Sequence, residues 1–373
     1  MMRGEKLNRR AFFARSAGLV AAGGLAACSQ DNPGYSRYRS ATTLGNPQDL
    51  IDTAKQEGTL TAYLAMAQEP FTDWAKGFTN TYGISVLAQM QGNNALFSRW
   101  AQETRAGKNI ADFVIFGGQD LLGEARKNGW IARYTPASDS KYVQGVSKDS
   151  GSWYGLYLAI EPLVFNSDQV MKEEATNLLS NTYEALFDKS WVGRTSTVVP
   201  AASNRVYATY YRLVQQHGWS FLEKLAATKP TFQNTGTSAM NQITAGQNAV
   251  LIAGGEDSLA ARAVASAAPV EFAYPETSTA TMEFGAISAN APHPAAVRLF
   301  MEWATSDEAL TSLAAITAGT PCRLGIPDNR SAAKQSWYRQ PAKLDLNWSI
   351  DPTESAAQAV FLTEWAKIFN YSV

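Results

Sequence analysis

Apolar and polar positions fall into a regular rhythm from Asn46 onward. Pro47 to Lys55 has an acidic first turn and a helical period and is stopped by Glu57-Gly58, which predicts a short helix. Thr59 to Met66 reads as a strand. Gln68-Glu69-Pro70 opens a helix through Phe71, Trp74, Phe78 and Tyr82 that stops at Gly83, and Ile84 to Met90 reads as a second strand. A helix around Ala95 to Gly107 follows, then a buried strand from Ala111 to Phe116 ending in Gly117-Gly118. Short strands alternating with helices of this length predict a parallel α/β sheet. In such sheets ligands sit beyond the carboxyl ends of strands. That nominates Gln68 and Glu69 after the first strand, Asn93 and Asn94 after the second, and Gly118 and Gln119 after the third. Each is equally readable as part of a helix cap.

Ser152 to Asn166 breaks the rhythm. The stretch is apolar, aromatic and β-branched almost throughout, yet Glu161 stands in its middle and Pro162 follows. Proline lacks a backbone donor, which suits an extended segment leaving one sheet and entering another better than a central strand. The stretch is therefore expected to cross between two lobes. A carboxylate carried on such a crossover would lie at the floor of an interlobe cleft, a common place for a ligand.

Beyond Asn166 the pattern turns helical, and a strand is expected from Thr195 to Val199. Ser203 or Asn204 would cap a helix from Arg205 to His217, stopped by Gly218. The N–H groups at that N-terminus could hold an anionic or carbonyl-bearing part of a ligand through Ser203, Asn204 and Arg205, or serve only in capping. Tyr207, Tyr210 and Tyr211 have the spacing of a packing face. Asn248 to Ala253 reads as a short strand followed by Gly254-Gly255-Glu256-Asp257. Its glycines would let backbone approach a ligand and its acids would offer charge, unless Glu256 and Asp257 are merely the acidic first turn of the next helix. Val270 to Tyr274 is another strand, and Met282 to Ser288 is expected to carry the chain back to the first lobe. Helices from Ala295 to Trp303 and Glu308 to Ile316 would cover that lobe, and a last helix, through Val360, Phe361, Trp365 and Phe369, is expected to dock on it too.

Length and composition narrow the choices. At 373 residues the chain accommodates two ordinary domains. A net charge of -1 gives no electrostatic footprint for nucleic acid. Two histidines leave few ways to build a zinc site, and no metal or cofactor is expected. Aromatics at 11% fit either a stacking site or a large core with aromatic anchors.

Residues 3 to 28 read as an address: Arg9-Arg10 precede a weakly apolar run from Ala17 to Ala27, and Leu25-Ala26-Ala27-Cys28 follows the lipobox pattern. The combination resembles a twin-arginine lipoprotein signal. The mature protein would begin at Cys28, tethered outside the cytoplasmic membrane by its lipid, with Ser29 to Thr43 as a flexible leash. With Cys28 acylated, Cys322 has no partner for a disulfide. The expected division is a signal over 1–28, a linker over 29–45, a first lobe from 46–158 and 276–373, and a second lobe from 159–275. The chain contains no Gly-x-Ser-x-Gly elbow, no His-Glu-x-x-His and no phosphate loop with a lysine, so an exported hydrolase is the weaker alternative to a binding protein.

A family resemblance rests on Glu57 to Tyr63, Tyr82 to Val86, Ala106-Gly107-Lys108 with Ala111 to Val114, Lys127 to Ile131, Tyr183 to Arg194, Ala291 to Ala296 and Leu299 to Ala304. In order and spacing these segments resemble the extracellular solute-binding proteins of the ferric-ion-transporter type. The resemblance implies a two-lobed α/β periplasmic-binding-protein fold of the second topological type, with crossover strands as a hinge. It also implies a monomer that hands a small solute to the membrane subunits of an ABC importer. Ferric relatives carry a tyrosine pair in the register of Glu256 and Asp257, and tend to carry an arginine in that of Glu161. Against that pattern ferric iron with a synergistic anion is disfavoured. Glu161, Glu256 and Asp257, with Trp153 or Tyr154 as an aromatic face, would instead suit an organic cation, an amine or a polyhydroxylated solute. In the alternative, Arg205, Arg262 or Arg323 neutralises these carboxylates within the protein.

Overall fold

Strands and helices alternate as the periodicity requires. The computed structural model describes residues 38–145, 147–346 and 355–372, so the arginine pair, the lipobox and Cys28 lie outside the described residues. Asn46 caps the helix Pro47–Glu57, its Oδ1 accepting from the Gln48 N–H at 3.0 Å, and Gly58 ends that helix in the left-handed conformation. Strands β1 (Thr59–Leu64), β2 (Ser85–Met90) and β3 (Phe113–Gly117) then pair in parallel, with β1 in the middle. A short β4 (Lys148–Asp149) leads into β5 (Trp153–Ile160). The chain leaves this sheet at Glu161-Pro162.

A second sheet is built from β6 (Leu163–Asn166), β7 (Thr195–Val198), β8 (Thr231–Gln233), β9 (Val250–Leu251) and β10 (Val270–Ala273), in the order β10-β6-β9-β7-β8. From β10 the chain returns through β11 (Thr277–Ile287), which inserts between β3 and β5 and is antiparallel to both. The first sheet is therefore mixed, which corrects the expectation of an all-parallel one. The reason is topological. Strands β3 and β5 run toward the second lobe, whereas β11 arrives from it. A final β12 (Lys343–Asp345) pairs with the first residues of β11.

Helices cover both faces of the first sheet. Phe71, Trp74 and Phe78 of the helix Gln68–Tyr82 meet Phe300 and Trp303 of the helix Pro294–Ala304 on one face. Phe97 and Trp100 of the helix Asn93–Arg105 meet Phe116 and Trp130 on the other. The second sheet has its own core, centred on Leu163, Phe165, Val198, Leu213 and Leu251.

The terminal helix, Ser355–Ile368, joins this second core, contrary to expectation. Phe361 packs edge-on against Tyr207, and Trp365 and Phe369 lie against Tyr210 of the helix Asn204–His217. Val360, expected in the interface, is 70% exposed. An apolar helix face docks wherever complementary rings stand, and the packing face carrying Tyr207 and Tyr210 supplies them. Ala318 and Ala332 also belong to the second core, so the chain crosses again after the helix Asp307–Thr317.

Candidate functional site

Where the carboxyl ends of β1 and β3 face the second sheet there is a cavity of about 520 Å³. Ala65, Gly92, Asn93, Asn94, Ala95, Gly117, Thr281 and Glu283 line it from the first lobe, and Ala202, Ser203, Asn204 and Arg205 from the second. On the first lobe Asn93 is clamped to Gly117: its Oδ1 accepts from the Gly117 N–H and its Nδ2 donates to the Gly117 carbonyl, both at 3.2 Å. The helix Asn93–Arg105 begins there with no side-chain cap. Thr281 and Glu283, two residues apart on β11, share one face of the sheet.

On the second lobe Ser203 Oγ accepts from the Val206 N–H and caps the helix Asn204–His217. Arg205, in the first turn, donates Nε to Glu161 at 3.1 Å and Nη2 to Glu256 at 2.6 Å. Burial works against its charge, but Glu256 and Glu161 keep its guanidinium pKa above the ordinary value. Against the same cost of burial, Arg205 and the Ser258 hydroxyl hold the Glu256 carboxyl below its usual range. A side cavity of about 250 Å³, lined by Val198, Ser203, Arg205, Gly236, Thr237, Gly254, Glu256 and Leu259, continues behind the pair.

Residues 73–341 match the family of bacterial extracellular solute-binding proteins. The chain belongs to that family. No curated protein matches this solute-binding protein. Its fold is that of several solved structures. Iron-bound HitA from Pseudomonas aeruginosa has a TM-score of 0.60 at 18% identity, over 84% of this chain and 98% of that one. The substrate binding protein of an ABC transporter from Agrobacterium tumefaciens gives 0.64 at 19%, over 83% and 94%. Ferric iron-binding protein A of Mannheimia haemolytica, in an open conformation, gives 0.62 at 15%, over 84% and 99%.

Several residues nominated from the sequence of this solute-binding protein are placed elsewhere. Glu161 does not open into the cleft: it is fully buried, one oxygen accepting from the Gly254 and Gly255 N–H groups at 2.5 and 2.9 Å and the other from Arg205. The two glycines are required by this approach. Gly254 has φ +108°, and a Cβ there would stand 2.2 Å from Val198 Cγ2. Asp257 is also fully buried, receiving hydrogen bonds from the Ile160 N–H (2.9 Å), Tyr274 (3.0 Å), Thr320 (2.5 Å) and Arg330 (2.8 Å). It ties the second lobe to the crossover and to the returning chain. Of the three expected acids only Glu256 reaches a cavity wall, and it carries Arg205 with it. The acidic cation site built on all three is thereby corrected, because neutralisation inside the protein prevails.

Trp153 is buried beneath the Arg126 guanidinium, 5.1 Å from its ring, and the Tyr154 hydroxyl donates to Asp139 at 2.7 Å, so neither lines the cleft. Gln68 and Glu69 stand exposed in a first helical turn outside the lining; Gly118, whose N–H donates to the Met282 carbonyl, and Gln119, the N-cap of the helix Asp120–Lys127, are half-buried and also outside it. Asn93, Asn94, Ser203, Asn204 and Arg205 are brought together.

The residue missed from the sequence is Glu283. Its buried Oε2 has no hydrogen-bond partner among the described residues, while Oε1 lies over Gly117, where a Cβ would come within 2.9 Å of it. Burial, reinforced by the charge of Glu256 and opposed by Arg205, pushes its carboxyl up to about 7. The signal lay in Thr281-Met282-Glu283-Phe284, where alternation puts Thr281 and Glu283 on one face and Met282 and Phe284 on the other.

Proposed function

We propose that this protein captures a small solute between its lobes and delivers it to an ABC importer, acting as an exported lipoprotein held to the membrane through Cys28. The observation that carries the reading is a cavity walled by both lobes, with the Asn93–Gly117 clamp on one side and the Ser203–Arg205 turn on the other. Two strand crossovers, at Glu161-Pro162 and at Tyr274 to Glu276, join the lobes beside this cavity, an arrangement that suits hinge closure around a ligand. A structural neighbour described as the substrate binding protein of an ABC transporter supports the importer role.

The iron-binding neighbours raise ferric ion as cargo, but the donor set here does not favour it. Among the described residues the cleft lining includes no tyrosine, histidine or cysteine, and no group of three His, Cys, Asp or Glu is arranged for a metal. Enzymatic turnover has equally little support. Ser203 Oγ is occupied by helix capping, His217 stacks on Phe221, His293 pairs with Asp112 at 2.9 Å, and burial pushes the Cys322 thiol up to about 12. A thermal-shift screen of the full chain against amino acids, polyamines, sugars, sugar phosphates and ferric citrate tests the reading. Stabilisation by one solute class is expected, and turnover of any of them would replace the receptor with an enzyme.

A further inference from the structure

Glu283 is the acid of the cleft that forms no ion pair among the described residues. Glu161 and Glu256 share Arg205, and Arg262 adds a longer-range positive charge near Glu256. Among the described residues no basic group pairs with Glu283, and its Oε2 has no donor although it is shielded from water. A buried acceptor left without a donor is destabilising. A bound solute that brings a donor removes that penalty. The side chain has room to reach the cavity because residue 117 is glycine, and the Asn93 clamp fixes that backbone.

The opposite wall offers the complementary half. Arg205 uses Nε and Nη2 within the protein, and its Nη1 has no acceptor among the described residues. The N–H groups of Asn204 and Arg205, at the start of a fourteen-residue helix, have no intrahelical acceptor and carry the positive end of its dipole. One wall thus accepts hydrogen bonds and has no ion-pair partner among the described residues, and the other offers an unused Nη1 and the free N–H groups of a helix N-terminus as donors. A sugar would satisfy the hydrogen bonds and leave Glu283 without a counter-charge. A simple amine would leave the Arg205 wall unused.

We propose that the solute is a small zwitterion, with its protonated amine on Glu283 and its acidic group on the Asn204–Arg205 turn. The proposal rests on the receptor reading and narrows it. The test uses the full chain, calorimetry and three probes, β-alanine, γ-aminobutyrate and taurine, against propionate and propylamine, which each keep one half of the pattern, and against ribose. At least one zwitterion is expected to bind, with the half-probes weaker by about tenfold or more, a difference of about 1.4 kcal/mol. Glu283→Gln and Glu283→Asp are expected to weaken that zwitterion by at least about tenfold, and Glu69→Gln, on the exposed helix outside the lining, to leave it unchanged. Failure of all three zwitterions, preferential binding of propionate, propylamine or ribose, or wild-type affinity in Glu283→Gln overturns the proposal. Should another solute compact the protein in scattering, the zwitterion falls and the receptor stands; should none of a broad panel do so, both fall.

Discussion

Arg205 and Glu161, 44 positions apart, meet as an ion pair with Nε 3.1 Å from Oε2, and the carboxylate is completely removed from solvent. This contact joins the β5–β6 crossover to the helix that walls the cleft. It makes Glu161 a fastener of the hinge. Glu161→Gln leaves Arg205 with Glu256 alone as its counter-charge and replaces one buried acceptor oxygen by an amide NH2, which cannot accept from Arg205 or from the Gly254 and Gly255 N–H groups. A loss of about 3 kcal/mol in unfolding free energy is expected, measured by urea denaturation. A loss below about 0.5 kcal/mol would contradict the fastening role.

Gly254 tests the same junction from its backbone side. With φ +108° and Val198 Cγ2 only 2.2 Å from where a Cβ would be, Gly254→Ala must shift the loop that feeds two N–H groups toward Glu161. Strain and overpacking together are expected to cost about 3 kcal/mol, read as a lowered melting temperature. Gly193→Ala, at a positive φ with nothing near its Cβ, is expected to cost less.

Glu283 gives a pH dependence with a defined sign. Its carboxyl is raised from its usual 4.5 to about 7, chiefly by burial and then by Glu256, with Arg205 and Tyr157 also facing it. Below about 4.5 the group is protonated in folded and unfolded chains alike, so no penalty arises. As pH rises to about 7 the unfolded chain ionises first, and the folded state loses relative stability. Glu57, raised to about 7 by its own burial, follows the same course, so the comparison must be between wild type and Glu283→Gln. Wild type is expected to lose stability relative to the variant across that window, in denaturation series at several pH values. Parallel curves would remove the assigned burial cost.

The proposed lipid anchor rests on one sulfur atom, that of Cys28. Cys28→Ala is expected to move the protein from the membrane fraction to the soluble fraction. Persistence through washing would point to attachment by another route.

Much of the fold is legible in the sequence because it is encoded locally. Gly58 and Gly83 end helices where a left-handed residue is required, and Pro162 interrupts a run that would otherwise read as one long strand. The site is less legible, because its decisive partners are distant in sequence. Gly254 and Gly255 lie 93 and 94 positions from Glu161, and nothing in the local pattern of either segment announces the contact. Amphipathicity shows that the last helix docks, through Phe361 and Trp365, but not that Tyr207 and Tyr210 of the second lobe receive it. Glu283 was concealed by being one acid in a strand otherwise read as a return path.

The most direct test of capture between the lobes is small-angle scattering on the full chain, before and after addition of the solute that gives the largest thermal shift. A smaller radius of gyration in the bound state is expected, since the Asn93–Gly117 wall and the Ser203–Arg205 turn must approach each other to share one ligand. A solute that binds tightly and leaves the radius unchanged would contradict it.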